Sequence, residues 1–307
     1  MLIWIKSRKY CAYGGKKQRM DLNHELRYGN AQHPFHLEYN RRKGHFSMAT
    51  DHMHRHYELY YLFGGERNYF IKNRIYPVRA GDLVLVPSNE VHKTSDTGVP
   101  NHERIVLYFN TEYFDQMADE EAELLLTPFH NDNRVLHLAE PDKLRIEQLL
   151  YDMLREIQDQ SPGYELAVRH AAALTLLFAA REVMNPKYLP SEEAVSPAAA
   201  RITEIARFIS EHYQEPLTLG SLSEQFYLSP SHLSRTFKKY TGLGLIEYIG
   251  ITRTKEAQRL LRETDERITV ISELSGFENF SHFEKVFKSF SRMSPRSYRS
   301  GFRRKKT

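Results

Sequence analysis

The sequence predicts a multidomain α+β chain: a small β-barrel or sandwich first, a helical hairpin next, and an all-α domain with two helix-turn-helix units last. Three observations carry this. The hydrophobic period changes from strand-like to helical near residue 140. A breaker-rich stretch, Asn185-Pro186-Lys187-Tyr188-Leu189-Pro190-Ser191-Glu192-Glu193, then interrupts the helical pattern. One short helical arrangement recurs about 50 residues apart in the last third of the chain. A length of 307 residues suits about two domains, and 41% hydrophobic residues can fill two cores, which excludes a disordered chain. Mean hydropathy is −0.58 and no apolar run approaches the length of a membrane span, so a transmembrane helix is excluded. The single cysteine, Cys11, excludes a disulfide framework and a thiolate metal cage within one chain.

Residues 1–30 read as a basic N-terminal arm. Its apolar run, Leu2-Ile3-Trp4-Ile5, is too short for a secretory signal and is followed rather than preceded by basic residues, so a cytoplasmic protein is expected. Met20 is an alternative start. Residues 31–140 read as strands, in the runs 59–63, 68–71, 83–86 and 105–109. Turn chemistry separates them at Gly64-Gly65, Lys72-Asn73, Gly81-Asp82, Pro87-Ser88-Asn89 and Gly98-Val99-Pro100. Residues 141–186 read as two helices. Leu144, Leu149, Leu150, Met153, Leu154 and Ile157 mark the first, and Leu166, His170, Leu174, Leu177, Phe178 and Val183 the second. Residues 187–197 are the linker and residues 198–307 the last domain, with a helical pattern throughout 197–302.

The last region is also the basic one. It carries 19 Lys and Arg against 12 Asp and Glu, a net of +7, whereas residues 1–197 sum to −3. Such asymmetry suits a nucleic-acid-binding module joined to something else. In the first repeated unit, Leu219–Phe226 precedes a turn and a second helix from Pro230 to Lys239. Ser229 suits the cap and Pro230 the first turn of that helix. Leu233 and Phe237 face inward, leaving Ser231, Ser234, Arg235 and Lys238 outside. In the second unit, Ile268, Val270, Ile271 and Leu274 pattern one helix and Phe283, Phe287 and Phe290 the next. Ser281, His282, Glu284, Lys285 and Lys288 are left outward. A helix through Ile246, Ile249, Arg253, Ala257, Leu260 and Leu261 separates the units, so each could enter a major-groove segment roughly 34 Å apart. An outward arginine can fork onto guanine, worth about 1–3 kcal/mol of base discrimination. Lys238, Lys239, Arg253, Lys255 and Lys288 are expected on phosphates.

Leu228–Gly242, Gly276–Phe283, Lys288 and Met293–Arg299 resemble the DNA-binding domain of the AraC/XylS transcription regulators. The resemblance implies seven helices and promoter recognition, with Ser231, Ser234 and Arg235 reading bases in the first unit and Ser281 and Lys285 in the second.

Seven of the fifteen histidines lie between His24 and His56. In His52-Met53-His54-Arg55-His56-Tyr57-Glu58, strand geometry would place His52, His54, His56 and Glu58 on one face. That set suits a divalent metal or hydrogen bonds to a polyhydroxy ligand. Gly81–His92 supplies a further histidine after a strand and turn. These stretches resemble the two cupin motifs, on His52, His54 and Glu58 and on His92, with Asn89 where a glycine is usual. The resemblance implies a cupin-like double-stranded β-barrel with the site inside. Three readings stay open: a metal held by His52, His54, Glu58 and His92; a metal-free pocket in which the same residues bind a small effector such as a sugar; and histidines that only satisfy the core.

The resemblance further implies a ligand-responsive regulator, an activator of carbohydrate or other catabolic genes, whose partners are double-stranded promoter DNA, a small-molecule effector, RNA polymerase and a second copy docked through the 141–186 hairpin. The alternative is a cupin metalloenzyme, a dioxygenase or isomerase, with an appended DNA-binding domain.

Overall fold

A computed structural model describes residues 24–47, 54–115, 117–185 and 196–303. His52, most of the basic arm including Met20 and Cys11, and most of the expected linker lie outside the described residues.

Among the described residues, the N-terminal part holds nine strands: β1 (Glu25–Tyr28), β2 (Phe35–Arg42), β3 (Tyr57–Gly64), β4 (Glu66–Ile71), β5 (Arg74–Arg79), β6 (Asp82–Val86), β7 (His92–Asp96), β8 (His102–Phe109) and β9 (Val135–His137). All pairings are antiparallel. One sheet has the order β1-β2-β8-β3-β6-β9 and the other β5-β4-β7. β1 falls inside the stretch read as an arm. It is held by pairing along β2, from Glu25 opposite Asn40 to Tyr28 opposite Leu37. Two short helices, α1 (Thr111–Phe114) and α2 (Asp119–His130), fall inside the region read as strands. The acidic first turn of α2, Asp119-Glu120-Glu121, suits the positive end of a helix dipole.

The central strands are buried on both faces. On β3, Leu59, Tyr61 and Phe63 face outward from the barrel and join Leu83, Leu85, Ile105 and Leu107 in one core. Tyr60 and Leu62 face inward, with Val84, Val86, Val106, Tyr69 and Ile71. The outer core is closed by α3 (Glu140–Asp159) and α4 (Tyr164–Met184). Ile146, Leu150, Met153, Leu154 and Ile157 of α3 are buried there, as are Val168, Ala172, Leu176 and Phe178 of α4. Most of the stripe expected at a dimer interface therefore packs on its own barrel. Leu144, Leu166 and Leu174 remain exposed, at 65%, 53% and 50%.

The C-terminal part is α5 (Pro197–Glu211), α6 (Leu219–Gln225), α7 (Pro230–Thr241), α8 (Leu245–Glu263), α9 (Ile268–Leu274), α10 (Phe280–Ser291) and α11 (Pro295–Arg303). Ser229 caps α7 by accepting from the His232 amide, and Asn279 caps α10 by accepting from that of His282. Two cores form. Leu222, Leu233, Phe237, Tyr248 and Ile249 build one, and Ala257, Leu261, Ile271, Phe283 and Phe287 the other, so α8 serves both. Among the described residues, no helix is long and apolar enough to cross a membrane.

The two parts touch. Phe70, Ile75 and Val91 of the barrel enter the first helical core. The Ile75 amide donates to Thr203 Oγ1 at 3.1 Å, and Tyr248 Oη donates to the Lys72 carbonyl at 2.9 Å. Lys93 Nζ donates to the carbonyls of Lys238 and Lys239 at 3.5 and 3.4 Å. Lys255 on α8 pairs with Glu90.

Candidate functional site

Two regions carry chemistry. The first is the outward face of α7 and α10. Residue by residue, the two helices have the same pattern of burial and exposure over 231–240 and 281–290. Leu233 and Phe237 anchor one, and Phe283 and Phe287 the other. Ser231, Ser234, Arg235, Lys238 and Lys239 are exposed on α7, as are Ser281, Lys285 and Lys288 on α10. Arg235 Nε donates only back along its own helix, to the Ser231 carbonyl at 3.3 Å. Its guanidinium thus stands on the face expected to read bases.

Two cations expected on phosphates are placed elsewhere. Arg253 Nε donates to the Tyr213 carbonyl and Nη2 to the Glu215 carbonyl, each at 2.8 Å. Its guanidinium also lies 5.8 Å from the Phe277 ring centroid. It braces the end of α5 against the second unit. Lys255 is engaged by Glu90. The turn of that second unit depends on Gly276 (φ +83°), where a Cβ would sit 2.5 Å from the Tyr213 carbonyl oxygen.

The second region lies inside the barrel. His54 precedes β3 rather than lying on it, Glu58 is on β3, and His92 opens β7. One turn links the segment of His54 to that of His92, while β3 holds Glu58 between β6 and β8. The Asn89 amide donates to the His54 carbonyl at 2.8 Å, and Ser88 Oγ to the Arg55 carbonyl at 2.7 Å. Asn89 takes φ +58°, a left-handed conformation asparagine tolerates, so the usual glycine is not required.

His54 Nε2 and His92 Nε2 each lie 3.2 Å from Glu58 Oε2. Both Nδ1 atoms face backbone carbonyls: His56 at 3.0 Å for His54, and Glu90 at 2.8 Å for His92. In a neutral ring, donation from Nδ1 leaves a lone pair on Nε2, the form that a cation would need; in the protonated ring, Nε2–H instead donates toward Glu58 Oε2. His92 Nε2 is buried, and Glu58 Oε2 is its near polar neighbour. Tyr69 Oη donates to the other oxygen, Glu58 Oε1. Burial works to raise the Glu58 carboxyl, but His92 and His54 outweigh it and hold it well below the usual carboxylate range. Burial likewise works against charge on His92, and Glu58 reverses this, raising His92.

Ligand atoms of His54, Glu58 and His92 all lie within 4.8 Å of one another. Two imidazoles and a carboxylate, each imidazole oriented through its other nitrogen, fit a divalent cation. His56 is not part of this group. Its ring meets His36 at 4.9 Å and His54 at 5.7 Å, forming a rim with Tyr108. Sequence reading missed Tyr69 as the second partner of Glu58; the only available signal was its inward register position on β4.

Two family models match the chain. An AraC-like ligand-binding domain covers residues 39–176, and a helix-turn-helix domain covers residues 222–301. Among relatives, the helix-turn-helix-type transcriptional regulator YobQ of Bacillus subtilis is 35% identical over 129 residues, 37% of this chain and 54% of YobQ. The chain thus spans about half of YobQ. The transcriptional activator RhaS of Citrobacter koseri is 26% identical over 260 residues, 83% of this chain and 89% of RhaS. Among solved structures, the C-terminal domain of the two-component response regulator yesN from Fusobacterium nucleatum is 35% identical, with a TM-score of 0.31. It covers 31% of this chain and 94% of that domain.

Proposed function

The chain belongs to the AraC family of helix-turn-helix transcriptional regulators, and from that premise we propose that it binds promoter DNA through α7 and α10 and responds to a small molecule held in its barrel. The observation that carries this is the repeated exposure pattern on α7 and α10, which presents Arg235 and Lys285 at equivalent positions. Ser231, Ser234, Arg235, Ser281 and Lys285 would read base edges, while Lys238, Lys239 and Lys288 meet phosphates. Arg253 is left out, because its donors are already used on carbonyls.

The effector would contact His54, Glu58 and His92, with His52 as a further candidate. Its effect passes through the turn from Pro87 to His92. The Glu90 carbonyl holds His92, the Glu90 side chain holds Lys255, and Val91 packs in the core shared with the helical domain. An effector that binds one docking state better shifts the population of DNA-competent molecules by that difference in affinity. RhaS is a transcriptional activator, which supports activation as the output; RNA polymerase as a partner and catabolic genes as targets follow from the family resemblance alone. The exposed Leu144, Leu166 and Leu174 support a homodimer through α3 and α4. The protein would act in the cytoplasm, where promoters are.

A second reading of the barrel is favoured by the ligand atoms of His54, Glu58 and His92, which lie within 4.8 Å of one another. His54, Glu58 and His92 would hold a divalent cation, which could polarise an oxygen of a bound ligand. Stoichiometric metal together with substrate turnover would favour a metalloenzyme with an appended DNA-binding domain.

The regulatory reading is tested by selecting DNA from a random pool with the full chain and measuring binding by fluorescence anisotropy. Arg235→Ala should relax discrimination at one base position by about 1–3 kcal/mol. Equal weakening on every sequence would remove Arg235 from base reading, and the absence of any preferred sequence would sink the proposal.

A further inference from the structure

A second polar group lies on the inner face of the barrel. Arg42 (β2), Arg67 (β4) and Arg104 (β8) converge there with Tyr60 (β3) and His102 (β8). The strand register sets this up. Arg104 pairs opposite Leu62 and Arg42 opposite His102, on the face that also carries Tyr60 and Val106. Phe46 ties the group together: its ring centroid lies 3.8 Å from Arg42 Cζ, 5.8 Å from Arg67 Cζ and 5.9 Å from the His102 ring. Asp96 fixes Phe46 by accepting from its backbone amide at 3.1 Å.

The three guanidinium groups are poorly satisfied. Arg67 is 1% exposed; Nε donates to Thr94 Oγ1 at 3.0 Å, but Nη2 has no partner. Arg104 Nη1 and Arg42 Nε are buried without partners, as is Tyr60 Oη. Among the described residues, the one carboxylate ion-paired to the group is Glu38, 3.8 Å from Arg104 Nη2. Burial, then Arg67, Arg104 and Arg42, lower His102 to about 4, so it adds no fourth charge at neutral pH. Burying guanidinium groups without anions is strongly unfavourable, and each unmet donor adds to the deficit. Asp96 lies opposite Arg67 on β7, but its oxygens already accept from the Phe46 and Gly98 amides and lie against His45, so Glu38 and Asp96 leave the three guanidinium groups short of acceptors. A bound oxyanion would accept from the unmet forks in planar geometry.

We propose that Arg42, Arg67, Arg104 and Tyr60 form an oxyanion subsite inside the barrel, and that the effector carries a carboxylate or phosphate there. This rests on the effector-binding reading above and adds the ligand's chemical class. Arg104 lies four residues along β8 from Tyr108, which pairs opposite Glu58. The subsite is therefore about 13 Å from the Glu58 row, within the span of one small molecule with an anionic end.

The test is thermal unfolding of the full chain with inorganic phosphate, with malonate, with a neutral hexose, and with sodium chloride at matched ionic strength. Phosphate or malonate should raise the melting temperature saturably, beyond the chloride control; whichever acts at lower concentration identifies the source of the oxyanion. Arg67→Gln and Arg104→Gln should each weaken that response at least tenfold. Because phosphate can also bind the DNA face, only the part lost in these variants counts. If Arg67→Gln does not fold, Arg42→Gln, at the less buried edge, serves instead. No response above chloride, or an undiminished response in the folded variants, would overturn the subsite. Binding of the hexose alone would also overturn it while leaving an effector pocket intact. Failure of the unmodified chain to select DNA would defeat the regulatory reading and leave the anion result standing.

Discussion

Arg253 separates two roles that its charge alone would confuse. Its side chain is half-buried, and two donors reach the Tyr213 and Glu215 carbonyls at 2.8 Å each. Hydrogen bonds from a charged donor contribute about 1.5–3 kcal/mol when sheltered. The Glu215 bond is exposed, so its share falls toward the range of a surface interaction. Arg253→Ala should therefore destabilise the helical domain by about 2 kcal/mol. The loss would be read by chemical denaturation of the full chain. A parallel titration of DNA binding against salt distinguishes the roles. A phosphate contact contributes about one unit to the slope of log K against log salt. Lys288→Ala should flatten that slope by about one unit with little change in stability, whereas Arg253→Ala should leave the slope unchanged. A flattened slope with intact stability in Arg253→Ala would refute the bracing role.

Other consequences are equally direct. Gly276→Ala places a Cβ 2.5 Å from the Tyr213 carbonyl in a left-handed backbone, so it should lower stability by about 1–3 kcal/mol and DNA affinity with it; wild-type melting would show that the turn relaxes freely. Glu90→Ala and Lys255→Ala should each reduce the effector response, and their double-mutant cycle should give a coupling energy of about 1 kcal/mol, since the pair is partly exposed; additive effects would remove the pair from the interface. His102 is lowered from 6.5 to about 4, by burial and then by Arg67, Arg104 and Arg42, so the unfolded chain protonates first as pH falls. Stability should decline from about pH 6.5 to pH 4 by up to about 3 kcal/mol from this group, and His102→Asn should flatten that decline; an unchanged profile would show that His102 titrates normally.

Periodicity made much of the architecture legible. The inward Leu233, Phe237, Phe283 and Phe287 announced both repeated units, and the apolar runs at 59–63, 83–86 and 105–109 announced β3, β6 and β8. α2 was missed because strand punctuation dominated the reading of its neighbourhood, although its acidic first turn was available in the sequence. The roles of charged side chains were harder. Lys255 and Arg253 look like phosphate ligands until their partners, Glu90 and the Tyr213 and Glu215 carbonyls, are placed beside them in space. Arg42, Arg67 and Arg104 are 25 and 37 residues apart, and no local pattern links them. His54 and Glu58 were recognisable from spacing, but setting His56 on the same face as them assumed a strand that begins only at Tyr57.

The turn from Pro87 to His92 belongs to two neighbourhoods at once. Its last residue, His92, enters the barrel site beside Glu58, and its middle, Glu90 and Val91, lies against α8 and the first helical core. A substitution there is judged simultaneously by ligand fit and by domain docking, so this segment is less free to vary than a loop serving one purpose. The two parts are for the same reason not interchangeable modules. A chimera joining this barrel to another relative's DNA-binding domain would set Phe70, Ile75, Val91 and Lys93 against a foreign surface, and it should inherit DNA preference from one parent while losing the ligand response of both. Transplanting the response requires carrying the facing residues of α5, α7 and α8 along with the barrel.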